Sequence, residues 1–205
     1  MALTVYGSAR SRTMRVLWAA AELGLTYIHE PLAFDDPALK APEFLHINSA
    51  GAVPAIVDDG FALSESLAIN LYLAKKYGAA GAAALWPATL EGEADVWRWS
   101  LWAQGHLEPW VQRDRLLAHL REALGELTEA MARGAIATLN RALAGRQWLV
   151  GETFTIGDLN VAAVLSPSRV QHLDLTAHGD VQAWLARCYA RPAAVETRRR
   201  FADGP

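Results

Sequence analysis

A chain of 205 residues with 52% hydrophobic and 20% charged residues has material for one large or two small cores, which excludes a largely disordered chain. Its net charge of -3 is evenly spread: 6 basic against 8 acidic residues up to position 85, then 13 against 14, so nothing favours nucleic acid. The single cysteine, Cys188, rules out an internal disulfide or CxxC pair, and is read as a buried structural thiol. The six histidines form no metal-ligating pattern, so no metal is expected. No apolar run reaches the roughly 18 residues of a membrane span. The start lacks the basic-then-apolar order of a signal peptide, so a cytoplasmic protein without membrane contact is expected.

In chain order, Leu3 to Tyr6 is β-prone, and Gly7 opens a polar loop. Val16, Leu17, Ala20 and Leu23 predict a helix over 13–23 that stops at Gly24. A second strand is predicted over 26–32 and a short helix over 42–47. Asp58-Asp59-Gly60 between two β-prone runs signals a hairpin, and a helix follows over 65–77. This order, βαβ then a short helix then ββα, implies a parallel pair extended by antiparallel strands. The predicted fold is an α/β thioredoxin-like domain over 1–78. Residues 79–88, rich in Gly and Ala, read as a linker. An all-α helical bundle over 89–205 completes the prediction. Its helices fall at 89–119 (bent near Pro109), 122–144, 158–171, 181–189 and 192–200, the last carrying a solvated Arg198–Arg200 run.

Two short motifs carry chemistry. Pro54 precedes a strand, where its missing N–H is tolerated. A cis Val53–Pro54 bond would turn the chain sharply and offer the Val53 backbone to an extended peptide; a trans bond would make an ordinary turn. Glu65-Ser66 opens a helix whose N–H groups suit a carboxylate, with the Ser66 hydroxyl as a further donor and Glu65 available to an ammonium. Alternatively, Ser64 caps that helix and Glu65 complements its dipole.

Val53-Pro54 and Glu65-Ser66 at this separation resemble the glutathione site of the cytosolic glutathione transferase superfamily. The resemblance extends to Phe154–Leu159 (FTIGDL), similar to that family's buried N-capping box, in which Thr155 and Asp158 bond reciprocally for folding. The stretches WAAAELG (18–24) and WLARCYARP (184–192) look like bacterial members. The resemblance implies an enzyme that conjugates glutathione to small hydrophobic electrophiles, or runs related peroxidase or isomerase chemistry; a non-catalytic binding module is the alternative. It also implies a homodimer.

In serine-type members a serine in the first loop activates the thiol. Ser11 matches that position, with Ser8 the runner-up and Tyr6 third. A hydroxyl donating to sulfur favours the thiolate, whose free pKa lies near 8.5. For the peptide, the resemblance implies Lys40, Ala52, Val53, Pro54, Glu65 and Ser66 as glutathione-binding positions. Ala52 stands where many members have Lys or Gln, and a basic group such as Arg12 would compensate. Trp99, Trp102, His106 and Trp110 are spaced to share one face of the long helix. Trp102, His106 and Trp110 would then wall the second-substrate pocket, or the four would serve core or dimer packing.

Overall fold

A computed structural model of the chain describes residues 2–78, 84–111, 121–167 and 173–202. The chain divides into two compact units, Met1–Trp86 with Ala190–Pro205, and Pro87–Tyr189.

The first unit runs β1 (Leu3–Tyr6), α1 (Thr13–Glu22), β2 (Ile28–Glu30), a 3-10 turn (Pro37–Lys40), α2 (Pro42–Ile47), β3 (Ala55–Asp58), β4 (Phe61–Ser64) and α3 (Ser66–Tyr77). The sheet order is β2-β1-β3-β4, with β1 parallel to β2 and the other pairs antiparallel. This is the mixed thioredoxin-like sheet that the order of elements implies. β2 is shorter than expected because its ladder on β1 extends only from Thr4↔Ile28 to Tyr6↔Glu30. The hairpin turns on Asp59 (φ 49°) and Gly60 (φ 88°), the two positive φ values that a tight two-residue turn requires.

Strand alternation divides the core. Leu3, Val5 and Ile56 meet Val16 and Leu17 of α1 and Ile69 and Leu73 of α3. Ala55 faces the other way, to Leu39 and Phe44, where Tyr6 and Val53 join them.

The end of the sheet at the hairpin turn holds a buried carboxylate. Asp58, 1% exposed, accepts from Lys76 Nζ (2.8 Å), Tyr72 (2.9 Å) and Tyr77 (2.9 Å). Burial pushes its carboxyl up, but the donors Lys76, Tyr77 and Tyr72 outweigh that and hold it below the usual range. A carboxyl depressed in the folded state contributes stability above its unfolded pKa, about 3.9, and loses it as pH falls through the folded value. Asp58→Asn is therefore expected to flatten the acid limb of a stability–pH curve below about pH 4. An unchanged acid limb in chemical denaturation would show that the ionised carboxylate contributes nothing.

Helix α9 (Pro192–Arg200), expected with the helical bundle, packs instead along α1. Phe201 joins the first unit's core and stacks edge-on against His29 at 5.3 Å. Arg191 reaches the buried Glu22 with two bonds of 2.8 Å, and Trp18 Nε1 donates to the same carboxylate at 3.0 Å. Periodicity identified the helix but not the surface it would cover.

The second unit is helical: α4 (Leu90–Trp102), a π-helical segment (Ala103–Leu107), α5 (Glu108–Val111), α6 (Arg121–Leu143), α7 (Ile156–Val164) and α8 (Gly179–Tyr189). The single helix expected over 89–119 is thus interrupted before Pro109, and its part beyond Val111 lies outside the described residues. The helix expected over 158–171 begins two residues earlier and ends at Val164; residues 168–171 also lie outside. Thr155 and Asp158 form the capping box, and Cys188 is buried. Among the described residues, no helix is long and apolar enough to cross a membrane, and no cluster of His, Cys, Asp and Glu could hold a metal.

Candidate functional site

Register brings the motifs of the first unit to one end of the sheet. Tyr6 at the end of β1 pairs with Ala55 at the start of β3, which pairs with Ser64 at the end of β4. The loop after β1, the Val53–Pro54 bond and Glu65-Ser66 therefore all emerge together. The Val53–Pro54 bond is cis. Gly7 (φ 122°) is required here: a Cβ at this position would stand 2.7 Å from the Val53 Cβ and would collide with the Thr13 hydroxyl.

Ser11 sits two residues before α1 and is 5% exposed, as is Ser8. The Ser11 hydroxyl donates to the Ser8 carbonyl at 2.7 Å, lies 2.8 Å from Thr13 Oγ1 and accepts the Thr13 N–H at 3.1 Å. The Ser8 hydroxyl accepts the Arg10 N–H at 3.2 Å. The Tyr6 ring packs edge-on against Phe44 at 5.8 Å, the role of an ordinary strand residue.

Glu65 is exposed and holds a positive φ of 69°, uncommon for a residue with a side chain. Neither Glu65 nor Ser64 caps α3: Glu65 makes no capping bond, and Ser64 belongs to β4. Ser66, 4% exposed, lies 3.4 Å from Nη1 of Arg15, itself 4% exposed on α1. Lys40 is tied to its own loop, donating to the carbonyls of Gly51 (2.9 Å) and Ala50 (3.3 Å). Asn48 Nδ2 braces the same loop through the Ala52 carbonyl at 2.7 Å. Ala52 is exposed.

Thr13 and Arg15 are the neighbours that sequence reasoning passed over. A hydroxyl two residues after Ser11, at the first position of a helix, was the available signal for Thr13. Nothing in the pattern marks Arg15 as buried.

In the second unit, Trp99 is buried and meets Trp102 edge-on at 5.2 Å. Trp102 and Trp110 are half-buried, and His106 is exposed. The wider π turn between Trp102 and Trp110 breaks the α-helical phase on which a shared face depended.

Comparison with known proteins gives two domain matches: residues 1–75 to the glutathione S-transferase N-terminal domain and 115–192 to the corresponding C-terminal domain. Glutathione S-transferase 3 of Zea mays is 31% identical over 95% of this chain and 92% of its own length. The chain belongs to the glutathione S-transferase family. Its curated relatives are enzymes by name, and this protein is a glutathione transferase on that ground. A second transferase, GST-4.5 of Xanthomonas campestris pv. campestris, is 29% identical over 84% of each chain. Among solved structures, the glutathione S-transferase of Xanthobacter autotrophicus has a TM-score of 0.80 at 29% identity, covering 93% of this chain and 94% of its own. Poplar glutathione transferase F1 has a TM-score of 0.88 over the full length of both chains; at 22% identity it speaks for the fold alone.

Proposed function

We propose that the protein binds glutathione at this end of the sheet, stabilises its thiolate with Ser11, and transfers it to a small apolar electrophile. The observation that carries the reading is the convergence of the Ser11 loop, cis-Pro54 and Glu65-Ser66 on one sheet end. The Val53 N–H and C=O, which have no hydrogen-bond partner among the described residues, would pair with the peptide backbone. The start of α3 and Ser66 would take the γ-glutamyl carboxylate, and Glu65 its ammonium. Lys40, beside the exposed Ala52, would take the glycine carboxylate with the donor capacity its loop leaves over. Holding the thiolate beside its target supplies the remaining acceleration through proximity. Peroxide reduction or isomerisation would use the same thiolate.

The second substrate is an apolar electrophile, for which Trp102, His106 and Trp110 of the helical unit are the candidate contacts. A homodimer in the cytoplasm fits this reading. On α4, Leu90 (78% exposed), Trp97 (44%) and Leu101 (67%) form an apolar row at helical spacing of the kind a partner subunit covers.

The test is calorimetric titration with glutathione, paired with the ultraviolet thiolate band of the bound peptide, on wild type, Ser11→Ala and Ser8→Ala. A hydrogen bond to a charged sulfur is worth about 1.5–3 kcal/mol, so its loss raises the bound thiol pKa by about 1–2 units. Ser11→Ala is expected to bind glutathione and lose ~10–100-fold of its thiolate at neutral pH, with Ser8→Ala unaffected. A thiolate band retained in Ser11→Ala would transfer the role to Ser8 or Tyr6. Absence of binding in the wild type would leave a non-catalytic module of the same fold.

A further inference from the structure

The protons around Ser11 can be assigned one by one. A serine hydroxyl has one proton to give and two lone pairs to receive. Ser11 lies 2.7 Å from the Ser8 carbonyl oxygen, which can only accept, so the Ser11 proton is committed there. At 2.8 Å from Thr13 Oγ1, Ser11 must then be the acceptor and Thr13 the donor. The Thr13 N–H fills the second lone pair at 3.1 Å. One residue therefore occupies both lone pairs of the Ser11 oxygen, from a position with no solvent exposure.

We propose that Thr13 is a positioning residue that fixes Ser11 as a one-way donor to the thiolate, an inference that rests on the reading of Ser11 given above. With both lone pairs taken, the Ser11 oxygen cannot accept the thiol proton. That proton leaves to water, and Ser11 keeps its own. Two donated hydrogen bonds also polarise the Ser11 O–H and strengthen the bond it gives. On ligand binding, the sulfur competes with the Ser8 carbonyl for the one Ser11 proton, whose direction the two Thr13 bonds set. The exchange leaves no orphan, because the Ser8 carbonyl retains the Ser11 N–H at 3.0 Å. Thr13 is held in place by its packing beside Gly7, where any Cβ would meet its hydroxyl.

The experiment is a pH titration of the thiolate band of bound glutathione in wild type, Thr13→Val, Thr13→Ser and Ser11→Ala, with affinity measured separately using S-methylglutathione, which has no thiol. Valine keeps the shape and removes the hydroxyl; serine restores it. Thr13→Val is expected to raise the bound thiol pKa by about half a unit to one unit, a three- to tenfold loss of thiolate near neutral pH, with affinity for the methylated peptide unchanged. Thr13→Ser is expected to titrate with the wild type. A wild-type titration in Thr13→Val, or a shift in Thr13→Ser as large as in Thr13→Val, would overturn the proposal while leaving Ser11 in its role. A wild-type titration in Ser11→Ala would overturn the Ser11 reading itself, and the role of Thr13 with it.

Discussion

Asp158→Ala is expected to lower stability by about 4 kcal/mol or more. Asp158 is fully buried at the start of α7. Its Oδ1 accepts the Leu149 N–H (2.8 Å) and Trp184 Nε1–H (2.9 Å), and its Oδ2 the Thr155 N–H (3.0 Å) and Thr155 hydroxyl (3.1 Å). Alanine would strand four buried donors, each costing about 1 kcal/mol even at the low end of the range for such groups. For a chain of this size the melting temperature should fall by about 8–16 °C. Asparagine should rescue little, because its NH2 would face two donors whichever way the amide is turned. Thr155→Ala removes the cap and one of these four donors, leaves the other three paired, and should cost about 0.5–2 kcal/mol. If thermal melts place Asp158→Ala within about 2 °C of wild type, the carboxylate is not the junction this geometry makes it.

Arg191→Ala should cost about 3 kcal/mol through a different mechanism. The Glu22 side chain is 4% exposed, and that of Arg191 is 30% exposed. Removing the guanidinium leaves a buried carboxylate with the Trp18 indole N–H as its remaining partner. The cost comes chiefly from the stranded charge rather than from the bond itself. Glu22→Gln combined with Arg191→Ala removes that charge and keeps an acceptor for Trp18, so the double variant should recover at least about 1 kcal/mol. Equal losses in the single and double variants, measured by denaturant unfolding, would contradict this account.

What the sequence discloses is what short-range chemistry controls. The Asp59-Gly60 turn, the helix stop at Gly24 and the Thr155–Asp158 box each depend on residues a few positions apart, and the structure has them as expected. The Val53-Pro54 and Glu65-Ser66 motifs were visible too. Their meeting at one end of the sheet follows from register, which the order of strands implies. The missed features depend on contacts that no local pattern encodes. Asp58 looked like a turn residue until Lys76, Tyr72 and Tyr77 arrived from α3. Lys40, given by the resemblance as a glutathione-binding position, also donates to the carbonyls of Gly51 and Ala50, which nothing in its neighbours along the chain signals. The π segment left the apolar spacing of Trp99, Trp102, His106 and Trp110 looking like uninterrupted α-helix, because one extra residue in a turn changes phase without changing composition.

The return of the chain to its first unit at residue 190 has a consequence for synthesis. Domains usually fold as they emerge from the ribosome, the first one earliest. Here the first unit can assemble its sheet early, yet Glu22 must wait for Arg191, which lies 169 positions downstream. Until that segment emerges, the nascent chain carries the Glu22 carboxylate without Arg191 and an α1 surface without α9 over it. Final closure of the first unit therefore waits until the segment that begins at residue 190 has left the ribosome, and a ribosome that stalls within the helical unit would hold an incompletely sealed N-terminal half.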